Sequence, residues 1–174
     1  MPRTSLFLCL VPLVLFGAIG GFFYAYSVSV MQGLNNLSDS AAIQAMQELN
    51  RGTRNAVFLV TFLFTPIVSV LCAAVLYWKG DRATGVLLLA ASAVYFLGSF
   101  LPTVNINVPL NHEIEALNAT MLSSSEAASV WAEYSATWTY WNTIRAVMAL
   151  IGLALAGSAV YALKRQPAPV AVGA

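Results

Sequence analysis

The 174-residue chain is 59% hydrophobic and only 9% charged, with a net charge of +1 and a mean hydropathy of +0.76. An ordinary soluble domain carries about 25% charged residues, so water is not the main solvent of this chain. So small a charge, without clustered Lys and Arg, excludes the basic field that nucleic acid requires, and two cysteines inside apolar runs, Cys9 and Cys72, make neither a disulfide framework nor a Cys/His metal set.

A hydrocarbon core about 30 Å thick takes roughly 20 mostly apolar helical residues to cross. Four stretches between charges meet that requirement, at 6–30, 55–78, 83–102 and 142–163. Because every backbone amide at that depth must be paired internally, the expected fold is all-α: an integral membrane four-helix bundle forming a single domain over 1–165. The first stretch is longer than the h-region of a cleaved signal, typically about 7–15 residues, and is read as a retained span. In it Gly17 and Gly21 have the small-xxx-small spacing that lets two backbones approach, while Pro12 and Pro66 predict kinks in the first and second spans.

Between the first two spans, Ser38 or Asp39 can cap a short helix. Ala42, Met46 and Leu49 form one stripe of it and Gln47, Asn50 and Arg54 another, which predicts an amphipathic helix at the membrane mouth. After the third span, Pro102 and Pro109 argue against regular helix, and Asn111 can cap the segment after it. Ser123 to Glu126 reads as a capping box, and no break interrupts the pattern from there to Leu163, so the fourth helix is expected to project several turns beyond its span. The tail at 166–174, rich in Pro and Ala, is expected to be disordered.

Arg3, the turn Lys79-Gly80-Asp81-Arg82 and the pair Lys164-Arg165 fall on one side, and Arg51, Arg54 and Arg145 on the other with most of the carboxylates. Enrichment of Lys and Arg in cytoplasmic loops then predicts a multi-pass protein of the cell (inner) membrane with both termini cytoplasmic.

Polar side chains gather near one membrane face: Gln47 and Asn50, then Asn107, Asn111 and His112, then Trp138, Asn142 and Arg145. The last three share one helix face at i, i+4, i+7. Arg145 at a span boundary reads either as a snorkelling anchor or as a clamp for an oxyanion or carbonyl above a pocket. His112, the one histidine, reads as a surface or capping residue or as a general base with a suitable intrinsic pKa. Trp131, Tyr134, Trp138, Tyr140 and Trp141 read as an interfacial belt or as the wall of a flat cavity for a planar ring.

The stretches Gly20-Gly21-Phe22-Phe23-Tyr24-Ala25-Tyr26-Ser27, Ile43 to Asn50, Asn107-Val108-Pro109-Leu110-Asn111 and Trp138-Thr139-Tyr140-Trp141-Asn142-Thr143-Ile144-Arg145 together resemble the anthrone oxygenase-like family of small four-helix membrane proteins. The likeness covers nearly the whole chain, and it is the Asn-Val-Pro-Leu-Asn and Trp-Asn-x-x-Arg motifs in combination that carry it. Characterised fungal members oxidise anthrones to anthraquinones without a metal or flavin; bacterial members have no established reaction. The resemblance implies an aromatic anthrone- or quinol-like substrate, no cofactor and no metal. Asn111, Asn142 and Arg145 match its motifs and would donate to the developing oxyanion, with His112 as the candidate base. Gln47 and Asn50 would close the slot, and Asn107, Trp138 and Trp141 complete the candidate substrate contacts. The rival reading is a non-enzymatic membrane protein that binds a lipophilic small molecule or a partner subunit. The expected partners are thus the lipid bilayer and a planar lipophilic molecule; the oligomeric state is left open.

Overall fold

The computed structural model describes residues 3–164, which contain five helices and no strand. We label them α1 (Arg3–Leu34), α2 (Asp39–Thr53), α3 (Ala56–Trp78), α4 (Arg82–Glu115) and α5 (Ser124–Lys164). All but α2 are long and apolar enough to cross a membrane, so the chain is a multi-pass membrane protein with the fold of a helical bundle. Arg165 and the tail expected at 166–174 lie outside the described residues.

Helices α1 and α5 pack closely against each other. Small side chains on α5 permit it: Ala149 and Ala156 are fully buried, and the Phe16 ring of α1 lies against Gly152. Of the expected Gly17/Gly21 pair only Gly17 meets α5, where an added Cβ would stand 3.6 Å from Leu153. Gly20 is the glycine pressed onto α5, where an added Cβ would stand 3.2 Å from Leu150, whereas Gly21 has nothing within 4 Å. Helices α3 and α4 form a hairpin whose turn is dictated by Gly80. Its φ of +92° lets the Asp81 amide reach back to Leu76 O at 2.9 Å and its own amide to Tyr77 O at 3.1 Å, the paired bonds that close a helix through a left-handed residue.

Polar groups inside the spans are matched to carbonyls of the neighbouring helix, and one of those carbonyls is left free by a proline. Pro66 has no N–H to offer Phe62 O four residues back, and the Tyr95 hydroxyl of α4 donates to that carbonyl at 3.1 Å. Ser92 Oγ donates to Pro66 O at 2.7 Å and Ser69 Oγ to Leu88 O at 2.9 Å. Each bond ties α3 to α4 while pairing a hydroxyl that would otherwise lie unsatisfied in the apolar interior.

The structure differs most from expectation beyond Pro102. Instead of ending there, α4 continues to Glu115 by widening into π turns at Phe96–Phe100 and Thr103–Asn107 before resuming as α-helix. Side chains assist the change of pitch: Thr103 Oγ1 donates to Ser99 O and Asn105 Nδ2 to Leu101 O. Asn111 therefore sits inside the helix and caps nothing. Another π turn, Tyr26–Val30, interrupts α1 at the same end of the bundle; such turns are frequent at functional sites.

Helix α2 lies across this end, burying Ala42, Ile43 and Met46 against α1 and α5 in a second apolar cluster with Trp131, Tyr134 and Trp138. Ser38 is its N-terminal flanking residue without a side-chain cap bond. The capping box at the start of α5 forms as expected, with Ser123 N donating to Glu126 Oε2 and Glu126 N to Ser123 Oγ. The 41 residues of α5 then run without interruption, through the outer cluster and down the bundle.

Candidate functional site: an aromatic chamber around a buried arginine

All five helices, with Arg54 just after α2, enclose a chamber of about 160 Å³ at the π-turn end of the bundle. Its walls are mostly rings: Phe22, Phe23 and Tyr26 from α1, Phe58 and Phe62 from α3, and Trp138 from α5. Phe58 and Phe62 are parallel at 5.8 Å, and Phe62 stacks in turn on Phe100 at 5.2 Å. Polar groups enter from Asn50 and Thr53 of α2 and from Thr103, Asn107, Asn111 and His112 of α4.

Arg145 stands at the inner wall with 4% of its surface exposed. One terminal nitrogen donates to Thr103 Oγ1 at 3.0 Å and the other to Asn142 Oδ1 at 2.7 Å. Its guanidinium carbon lies 4.5 Å from the centre of the Phe23 ring and 5.3 Å from that of Trp138. A desolvated cation over an aromatic face gains about 2 kcal/mol, less than the several kcal/mol that taking the charge out of water costs. No carboxylate among the described residues comes within ion-pair distance, the two pairs there being Arg51–Glu48 and Arg54–Glu115. Arg145 Nε and, in the same chamber, Asn107 Oδ1 have no hydrogen-bond partner. A cation so held is the default candidate for a functional residue, and its burial sets it apart from a snorkelling anchor.

The remaining candidates separate into three groups. Asn107 and Trp138 line the chamber and are tied together, Asn107 Nδ2 donating to Trp138 O at 3.2 Å. Asn50, Asn111 and His112 line it from the mouth: Asn50 Nδ2 is buried beside the Tyr134 hydroxyl without completing a hydrogen bond, Asn111 Oδ1 accepts from both Tyr134 Oη and Trp138 Nε1, and His112 is exposed. Asn142, Gln47 and Trp141 do not line it. Asn142 is fully buried and its amide nitrogen is spent on Phe23 O and Ser27 Oγ, so it positions Arg145 rather than facing a ligand. Gln47 Nε2 donates to Ile114 O and Leu117 O, satisfying carbonyls at the end of α4. Trp141 is half-buried, edge-on to Tyr140.

Sequence reasoning passes over Thr103 and the phenylalanines. A signal for Thr103 does exist: Ser99, Thr103, Asn107 and Asn111 recur every four residues, and all four bond to α5, at Arg145 O, the Arg145 guanidinium, Trp138 O and the Trp138 indole. A spacing of four overshoots an α-helical turn of 3.6 residues, and the wider π turns offset that drift. The phenylalanines carry no such mark in a chain where most residues are apolar.

The family model described as anthrone oxygenase matches residues 53–155. The chain belongs to the anthrone oxygenase family. Neither the curated proteins nor the solved structures give a match. The anthrone oxygenase match takes in Thr103, Asn107, Asn111, His112, Trp138, Asn142 and Arg145, and leaves out the parts of the chamber contributed by α1 and Asn50.

Proposed function

We propose that the chamber binds an electron-rich aromatic molecule, anthrone- or quinol-like, and promotes its reaction with oxygen. The observation that carries this reading is the buried charge of Arg145, unpaired with any carboxylate among the described residues and facing a ring-lined space. A substrate that becomes an anion there supplies the missing negative charge, so the site favours the ionised form over the neutral one. For an anthrone, His112 takes one proton from the methylene flanked by the two rings. The resulting enolate is itself the reductant: it transfers electrons to oxygen and forms a carbon–oxygen bond, giving a peroxide at that carbon. Loss of water from the peroxide leaves the second ketone, so one methylene and one oxygen molecule become one carbonyl and one water. No separate electron donor enters this balance. Asn142 and Thr103 hold the guanidinium in place, and Asn111 has its amide nitrogen left for the substrate.

The same reading puts both termini in the cytoplasm of a cell with an inner membrane, and the chamber at the outer face, following the bias of Lys and Arg. A binder of lipophilic molecules without turnover is the second reading, favoured by the exposure of His112, the one histidine.

Oxygen uptake by the detergent-solubilised protein with a model anthrone decides between them. The oxygenase gives uptake above the spontaneous rate, insensitive to a chelator and lost in Arg145→Ala; uptake at the rate of buffer alone leaves the binding role.

A further inference from the structure

We infer that the cleft beside the chamber, between α1, α2 and the start of α3, is a second ring subsite: the chamber takes the reacting ring of a polycyclic aromatic substrate, and the cleft takes a ring fused to it. The inference rests on the proposal that the chamber is an aromatic-binding site, and it says where the rest of such a molecule lies.

Size is the first argument. An apolar cavity of about 150 Å³ holds one benzene molecule, and the chamber measures about 160 Å³. A ring fused to the one inside must therefore reach beyond it. Toward α4 the way is closed by the ordered stack of Phe58 on Phe62 on Phe100, with Phe96 beyond it at 5.3 Å. At the mouth stands the ion pair of Arg54 and Glu115, with Arg54 Nε anchored to Asn50 O at 3.3 Å.

The cleft is the third direction. It holds about 580 Å³, and Phe22, Tyr26, Thr53 and Phe58 line both it and the chamber. Those four side chains touch in a row. The ring centres of Phe58 and Phe22 are 4.9 Å apart, as are those of Phe22 and Tyr26, and Tyr26 Oη lies 3.5 Å from Thr53 Oγ1. The hydroxyl contact is longer than the about 2.5–3.0 Å of a full O–H···O bond, and Thr53 spends its own proton on Leu49 O at 2.8 Å. Ring contacts and one weak polar contact, all between side chains, thus make the partition, so that rotation of side chains joins the two spaces without movement of a helix. The lining of the cleft suits a ring. Helix α2 contributes Ala45, Leu49 and Gly52 to it, while the polar groups there are already engaged: Glu48 pairs with Arg51, and the Asn55 side chain is spent on Gly52 O and the Phe58 amide.

Gly52 provides the test, because an added Cβ there meets nothing within 4 Å and the residue lines the cleft but not the chamber. Binding of anthrone and of para-cresol to the full-length protein in detergent, without oxygen, is measured by titration calorimetry. Gly52→Leu is expected to weaken anthrone binding about tenfold or more, the scale on which a hydrophobic pocket separates ligands of unequal size, and to leave para-cresol binding unchanged. A second arm uses Gly52→Cys, against a background in which Cys9 and Cys72 are buried: anthrone is expected to slow modification at position 52 by a maleimide, and para-cresol is not. Unchanged anthrone affinity in Gly52→Leu, with no protection of Gly52→Cys, would overturn the second subsite and leave the cleft to lipid acyl chains. Equal weakening of both probes would overturn it too, since the substitution would then act on the chamber itself. Failure of both probes to bind the unaltered protein would instead overturn the aromatic-site reading beneath this inference.

Discussion

The two buried regions of this protein handle polarity in opposite ways. In the core between the four spans, hydroxyls are few and mostly spent on neighbouring carbonyls: Tyr95 on Phe62 O, Ser92 on Pro66 O, Ser69 on Leu88 O, with Thr84 Oγ1 the exception. Around the chamber, polar groups are numerous and three buried atoms, on Asn50, Asn107 and Arg145, complete no bond. A membrane interior punishes unpaired polar groups most heavily, so a bundle able to satisfy its core and leaving one end unsatisfied has that end arranged for something other than stability.

The sharpest way to break this contrast is Arg145→Met, which keeps much of the side-chain volume and removes the charge. Losing a transition-state donor costs about 100-fold or more in rate, whereas replacing a buried, uncompensated ion by an apolar side chain is often neutral or stabilising. Oxygen uptake is therefore expected to collapse while the melting temperature holds or rises; a fall in both would make Arg145 a structural residue. Tyr95→Phe should do the reverse. It leaves Phe62 O without its donor, at about 1–3 kcal/mol, so the melting temperature drops while uptake per folded molecule stays within about twofold of the unaltered protein. The smallest effect is expected for Arg54→Ala at the rim, where half of the side chain is exposed. A pair in that setting contributes about 0–1 kcal/mol, and a small change in apparent KM with kcat unchanged would show the rim to be a boundary rather than part of the reacting wall.

The division between legible and hidden features obeys the same physics. Charge spacing locates the spans because a desolvated charge is so costly that its absence over about 20 residues has one common explanation, and Trp138, Asn142 and Arg145 fall on one face because α-helical geometry holds there. The true end of the third long helix is hidden because Pro102 and Pro109 forbid α-helical hydrogen bonds, and π turns with side-chain donors from Thr103 and Asn105 carry the helix past them. The glycine register is hidden for a different reason: Gly17, Gly20 and Gly21 are all small, and only the placement of Leu150 and Ala149 on α5 selects Gly20. Asn111 and Asn142 are recognisable as polar residues near a site, but sequence alone does not reveal which amides are consumed by Trp138, Tyr134 and Phe23 O.

One consequence of the 41-residue α5 concerns kinetics. At about 1.5 Å per residue such a helix is about 60 Å long, twice the hydrocarbon thickness, and Arg145 lies near its middle. With the half of α5 after Arg145 as its span, the proposed site lies at the depth where lipid gives way to water, and a lipophilic substrate of the proposed reaction would approach it already partitioned into the bilayer. Its effective concentration is then a mole fraction among lipids rather than a molarity. Turnover should track the ratio of substrate to lipid or detergent, so that diluting the substrate with empty micelles slows the reaction even when its total amount in the vessel is unchanged.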